Sequence, residues 1–169
     1  MKTVLLMRHG KSDWDADYRD DSDRPLAPRG IRASRTMGRV LSGLAHVPDK
    51  IISSPAVRAN GTAELAALAG GWAAPISSDS RLYEESIDAA MDVLRELDDD
   101  LRRGMLVGHQ PDLSLLAELL IGGGSLVFPT AAVCRIDCRC DRWRDLEPGT
   151  GELRWLLPPR MFDKLGIEI

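Results

Sequence analysis

The residues equipped for chemistry fall in a few short stretches. Met7-Arg8-His9-Gly10 follows directly on the apolar run Val4-Leu5-Leu6. An apolar run of strand length that ends in a cation, an imidazole and a glycine reads as a buried strand delivering polar groups to its carboxyl end, where open α/β sheets keep their ligands. Arg8 offers a permanent charge and a fork of donors suited to phosphate oxygens, and Gly10 lets the backbone turn tightly and approach a substrate. Lys11 and Ser12 are further donors. Arg58 falls in the first turn of a helix that starts after Ile51-Ile52-Ser53-Ser54-Pro55, so that free N–H groups and the helix dipole would add to its charge. The plainer reading of Arg58 is pairing with a surface carboxylate. Gly104-Met105-Leu106-Val107-Gly108-His109 repeats the opening pattern, and Leu82-Tyr83-Glu84-Glu85 contributes two adjacent carboxylates that read most simply as helix N-terminal acids.

Period and punctuation supply the elements that must position these groups. Ala33, Met37, Val40, Leu41 and Leu44 recur at spacings of three and four, one face of a helix that opens near Pro28 and runs to about Ala45. Small residues Ala59, Thr62, Ala63, Ala66 and Ala67 mark a second helix able to lie close to a sheet and ending at Gly70-Gly71. Pro75-Ile76-Ser77 reads as a short strand. Ile87, Met91, Leu94 and Leu97 give a third helix ending near Asp98-Asp99-Asp100. Asp112 is expected to cap a fourth, which Gly122-Gly123-Gly124 closes. The segment from Lys11 to Asp23 lacks either period and reads as an acidic loop beside the site, in which Asp13, Asp15 and Asp17 are most simply solvated. After Gly124 come a strand bearing Cys134, Cys138 and Cys140 and a second, Leu153 to Leu157, joined as an antiparallel hairpin. The order implies an α/β fold, a three-layer α/β/α sandwich with a mostly parallel central sheet and an antiparallel edge, forming a single domain over residues 1–169.

Composition narrows the partners. With 44% hydrophobic and 28% charged residues the chain has the balance of a globular domain. A net charge of −4 argues against an electrostatic grip on nucleic acid. The apolar start stops at Arg8, too short for a signal segment, and no run suits a membrane span, so the cytoplasm is the expected location. The three cysteines alternate with period two against Arg135, Asp137 and Arg139 and read as small core residues; Cys-x3-Cys-x-Cys lacks the pairing of common zinc sites.

Taken together, Arg8-His9-Gly10-Lys11-Ser12, Asp23-Arg24-Pro25-Leu26 with Arg29-Gly30, Ser53-Ser54-Pro55 with Arg58-Ala59 and Thr62-Ala63, Leu82-Tyr83-Glu84, and Val107-Gly108-His109 with Pro111 resemble, in order, the motifs of the histidine phosphatase superfamily. Within it the chain looks like the SixA-type phosphohistidine phosphatases, over residues 3 to about 121. The resemblance implies a phosphoglycerate-mutase-like fold, His9 as a transiently phosphorylated nucleophile, and Arg8, Arg58 and His109 holding the phosphoryl oxygens, with Gly10 and Ser12 also on the substrate. Glu84 is the candidate general acid; Glu85 or a loop aspartate is the alternative. Arginines would supply the charge that a metal otherwise provides, and no cofactor is expected. The segment 59–108 holds little beyond a strand, a helix and loops, which leaves small scope for a lid and favours an open site. The expected substrate is therefore phosphohistidine on a protein such as a histidine phosphotransfer domain. A broad small-molecule phosphomonoesterase and a non-catalytic phosphate or phosphoprotein binding module are the alternatives.

Overall fold

The computed structural model describes residues 1–83 and 86–165. A six-stranded sheet lies at its centre, in the spatial order β3-β2-β4-β1-β5-β6. The strands are β1 (Lys2–Arg8), β2 (Lys50–Ser53), β3 (Ile76–Ser78), β4 (Arg103–Gly108), β5 (Val133–Cys138) and β6 (Gly151–Leu157). The first four pair in parallel, while β5 runs antiparallel to β1 and β6 to β5. The helices are α1 (Pro28–Gly43), α2 (Val57–Gly70), α3 (Ile87–Arg95), α4 (Asp112–Ile121) and α5 (Arg160–Leu165). The α/β sandwich with an antiparallel edge expected from the element order is the observed arrangement.

The strand period explains the layers. Val4 and Leu6 point into one core with Leu106, Leu116, Leu120, Phe128 and Trp143; Leu5 and Met7 point into the other with Met37, Leu41, Ala63 and Met105. Each of these fully buried strand side chains stabilises the fold by about 1.5–3 kcal/mol. On the second face α1 lies directly on α2, because Gly38 lets the backbones meet: a Cβ there would lie 2.1 Å from the Ala66 carbonyl oxygen. The alternating thiols do belong to the core: Cys134 and Cys138 are fully buried, and burial pushes both up to about 12.

Three local expectations need correction. The third helix stops at Arg95, not near Asp98, because Glu96 and Leu97 close the turn onto Asp92 and Leu94. Asp112 does not cap α4: it is the first helical residue, Pro111 holds the cap position, and no side-chain cap bond forms. The chain also continues past Pro158-Pro159 into α5, for which six residues were too few to show a period. Among the described residues no helix is long and apolar enough to cross a membrane.

Candidate active site

The carboxyl ends of β1, β2 and β4 open on the same side of the sheet, and the chemistry collects there. The backbone of His9 is fixed from two sides, its N–H donating to the Gly108 carbonyl (3.0 Å) and its carbonyl accepting from Ala131 N–H (3.1 Å). Its ring is 8% exposed. Nδ1 lies 2.7 Å from the Gly10 carbonyl oxygen. A carbonyl only accepts, so Nδ1 carries the proton and Nε2 keeps a free lone pair. Burial, followed by the charges of Arg58, Arg8 and Arg24, lowers His9 to about 4 against the opposing pull of the Gly10 carbonyl. At neutral pH the ring is uncharged and oriented, the state a nitrogen nucleophile needs.

His109 leaves the end of β4 with its ring centroid 5.1 Å from that of His9 and 5.3 Å from Tyr83. Its Nε2 lies 2.8 Å from Ser54 Oγ. Burial and the neighbouring His9 and Arg58 hold it down to about 3.

Three guanidiniums surround the imidazoles. Arg8 donates from Nη1 to the Phe128 carbonyl (2.7 Å). Arg58, 5% exposed in the first turn of α2, donates to the Asp21 carbonyl oxygen (2.6 Å) and to Asp21 Oδ2 (2.8 Å). Arg24 donates to Ser12 Oγ (2.8 Å) and Asp21 Oδ1 (2.7 Å), and its head lies 3.5 Å from the centroid of the Trp14 ring. Tyr83 completes the cluster by donating its hydroxyl to Asp21 Oδ2 at 3.0 Å. One carboxylate thus bridges two buried cations and a phenol. Burial pushes Asp21 up, but the Arg58 and Tyr83 hydrogen bonds and the Arg58 charge outweigh it and hold the carboxyl at about 2. Even so, Arg8, Arg24 and Arg58 each keep a buried Nε–H with no acceptor among the described residues. Buried unpaired donors are costly, and the three guanidiniums that carry them line one cavity, which suits an anion rich in acceptors.

The cavity has a volume of about 610 Å³ and is lined by Arg8, His9, Ser12, Arg24, Arg58 and His109 among others. Of the residues expected from the sequence, Arg8, His9, Ser12, Arg58 and His109 come together here. Gly10 does not face the cavity: its N–H donates to Thr62 Oγ1 (2.9 Å), and a Cβ there would sit 2.8 Å from the Gly30 carbonyl oxygen. The glycine serves the packing of the β1 end on α1 and not an approach to substrate. Glu84 and Glu85 lie outside the described residues. Asp13, Asp15 and Asp17 do not line the cavity. Asp112 does, and its burial raises its carboxyl above the usual range. The bland reading of Arg58, pairing with a carboxylate, is also present, through Asp21.

Sequence reasoning gave no role to Asp21 or Trp14, and Arg24, Ser54 and Tyr83 entered only as parts of motifs. Nothing in the spacing of the acidic loop separates Asp21 from its neighbours; only the short 3-10 turn Asp21–Asp23 brings it under Arg58. Among the described residues no group of three or more His, Cys, Asp or Glu side chains is arranged to hold a metal ion.

Comparison with known proteins agrees with this geometry. Residues 4–102 match the family model of the histidine phosphatase superfamily (branch 1). An uncharacterised protein of Mycobacterium leprae is 31% identical over 166 residues, covering 91% of this chain and 100% of that protein. One of Mycobacterium tuberculosis is 34% identical with the same coverage. Among solved structures, the protein histidine phosphatase SixA complexed with tungstate superposes with a TM-score of 0.81 at 25% identity, covering 95% of this chain and 99% of that one.

Proposed function

As the chain belongs to the histidine phosphatase superfamily, we propose that it transfers a phosphoryl group to His9 and then to water, and that the group arrives as phosphohistidine on a protein. Phosphatase activity is the reaction class that the family and fold support. The observation that carries the reading is the neutral His9 ring, its Nδ1–H held by Gly10 and its Nε2 free, among three buried guanidiniums.

The chemistry follows from those positions. A dianionic phosphoryl group would draw Arg58 and Arg24 away from Asp21 and meet Arg8 and His109 from the other side. His9 Nε2 attacks phosphorus in line. A bond forms between Nε2 and phosphorus while the bond to the substrate nitrogen breaks, and the substrate ring, carrying a proton on its other nitrogen, leaves as neutral imidazole with the electron pair. Charge on the transferring oxygens is balanced by the guanidiniums, already in place before the reaction. Water then attacks the phosphorylated His9, phosphate departs, and Nε2 regains its lone pair.

A phosphohistidine substrate suits the acid groups available. Of the two acids that line the cavity among the described residues, Asp21 is ionised at neutral pH and holds no proton to donate, while burial raises Asp112 above its ordinary value. An imidazole leaving group, with a conjugate-acid pKa near ~6.5, makes far smaller demands on a proton donor than an alkoxide. Glu84 stays the candidate donor on sequence grounds. The SixA neighbour is complexed with tungstate, a tetrahedral oxyanion, which accords with a phosphoryl ligand for this fold.

The test is phosphate release from a phosphohistidine-bearing phosphotransfer domain, run beside p-nitrophenyl phosphate, with wild type and His9→Ala in parallel. Release from the protein substrate, lost in the variant, is expected. Turnover of the small ester alone would leave the reaction class standing and overturn the substrate; unimpaired activity in His9→Ala would overturn the mechanism.

A further inference from the structure

A second cavity, of about 440 Å³, adjoins the active-site pocket, and Lys11 and Thr130 line both. Among the described residues Lys11, Arg29, Arg32 and Arg160 border it, against one carboxylate, Asp163. All four cations are exposed. None of them forms an ion pair among the described residues, a property shared with other exposed arginines such as Arg35, Arg39 and Arg102; what sets these four apart is that they border one cavity. The four come from the loop after β1, from α1 and from α5, so no single helix face accounts for their meeting. This concentration of positive charge sits on a chain of net charge −4. Arg29 also stands in the first turn of α1, which contains no acid. A cation there opposes the helix dipole, so helix stability does not explain its presence.

We propose that this groove receives the acidic segment of the protein that presents the phosphohistidine, a run of aspartates or glutamates beside the phosphorylated imidazole. The inference rests on the phosphoprotein reading above. Because Lys11 belongs to both cavities, a chain lying in the groove passes straight to the pocket that holds His9. The exposure of the cations suits a macromolecular surface, which keeps its own flanks in solvent while its carboxylates settle among the guanidinium heads. Charges placed around the rim of a site act chiefly on encounter and register, and salt weakens them.

The double variant Arg29→Glu/Arg32→Glu tests the groove. Both side chains are exposed, and glutamate in the first turn of α1 suits the helix dipole, so the fold is retained. Wild type and variant are compared on a phosphohistidine-bearing phosphotransfer domain with an acidic flank, and on p-nitrophenyl phosphate, at low and high salt. At low salt, kcat/KM for the protein substrate should fall about tenfold or more while p-nitrophenyl phosphate turnover stays within about twofold, and the gap should close as salt rises. Equal loss on both substrates, or no loss on the protein, overturns the groove. A binding arm is independent of phosphohistidine: fluorescein-labelled hexaglutamate is titrated onto each protein with the catalytic pocket saturated by tungstate. Binding to wild type and not to the variant is expected; no binding, or equal binding, overturns the proposal. If wild type hydrolyses only the small ester yet binds hexaglutamate through Arg29 and Arg32, the phosphohistidine reading falls and the groove stands as a site for acidic chains.

Discussion

Asp21 occupies the donors that an incoming phosphoryl group needs, and Asp21→Ala measures the cost of moving it. Its carboxylate is 48% exposed, whereas the Arg58 and Arg24 side chains it bridges are only 6% and 7% exposed. Ion pairs with one exposed partner contribute about 0–1 kcal/mol each, and the hydrogen bond from Tyr83 about 0.5–1.5 kcal/mol. Discounted for solvent screening, displacing the carboxylate costs about 1–2 kcal/mol, so tungstate or phosphate should bind Asp21→Ala about 5–30-fold more tightly than wild type. The same change leaves two buried guanidiniums without their counter-charge. In the absence of anion the variant should melt about 2–8 °C lower, and saturating phosphate should restore it. The sign with pH follows from the depressed carboxyl: the contribution of Asp21 is full above its unfolded value of 3.8 and lost only as pH falls toward about 2. The difference in affinity should therefore be flat between about pH 5 and 8. Calorimetric titration with tungstate and thermal melts with and without phosphate read both quantities. Weaker anion binding in Asp21→Ala would refute the competition and make Asp21 a partner of the ligand.

Burial that holds His9 near 4, below its unfolded 6.5, means that the unfolded chain takes up a proton that the folded one refuses. Stability should therefore decline as pH falls from about 6.5 to 4, His9 contributing up to ~3 kcal/mol and His109, held near 3, adding to the loss, and bound phosphate should reduce the decline; chemical denaturation of wild type and His9→Ala across that range separates the two. For the same reason the acid limb of kcat/KM for the free enzyme should lie well below pH 6.5, and a midpoint near that value would show an exposed or differently bonded ring. Thr62→Val removes the acceptor of the buried Gly10 N–H and should lower stability by about 1–3 kcal/mol, and kcat with it, as the loop holding the His9 ring loosens; urea unfolding and steady-state rates give the two numbers. Gly30→Ala would drive a Cβ to 2.2 Å from the Lys11 carbonyl oxygen, so a loss of about 1–3 kcal/mol is expected from thermal or urea unfolding.

The legible part of this protein is the part whose physics is local. An apolar run ending in Arg8-His9 had to be a buried strand with its polar end at the sheet's edge, and the second such run, ending in Gly108-His109, had to lie parallel to it once helices intervened; β1 and β4 do pair in register, Arg8 opposite Gly108. Arg58 was legible because Pro55 ends a strand and a helix begins within two residues. Gly10 was legible as a glycine but not in its purpose, since a tight turn and a close backbone neighbour leave the same mark in a sequence; only the Gly30 carbonyl 2.8 Å from a would-be Cβ tells them apart. Asp112 misled for a related reason, because an acid before an apolar period suits a cap and a first-turn position equally. Asp21 was illegible altogether. Arg24 is three residues away, but its other two partners, Arg58 and Tyr83, lie 37 and 62 residues away, and no period or motif encodes a contact made across a loop. The basic groove shares that property: Arg29 and Arg32 are one helix turn apart, but Lys11 and Arg160 reach them only through the packing of distant segments onto the same edge of the sheet. The proposed nucleophile and oxygen-binding groups ride on strand ends and helix starts, which sequence period fixes. The groups that compete with, admit or steer the ligand sit on loops, where tertiary structure alone decides the neighbours.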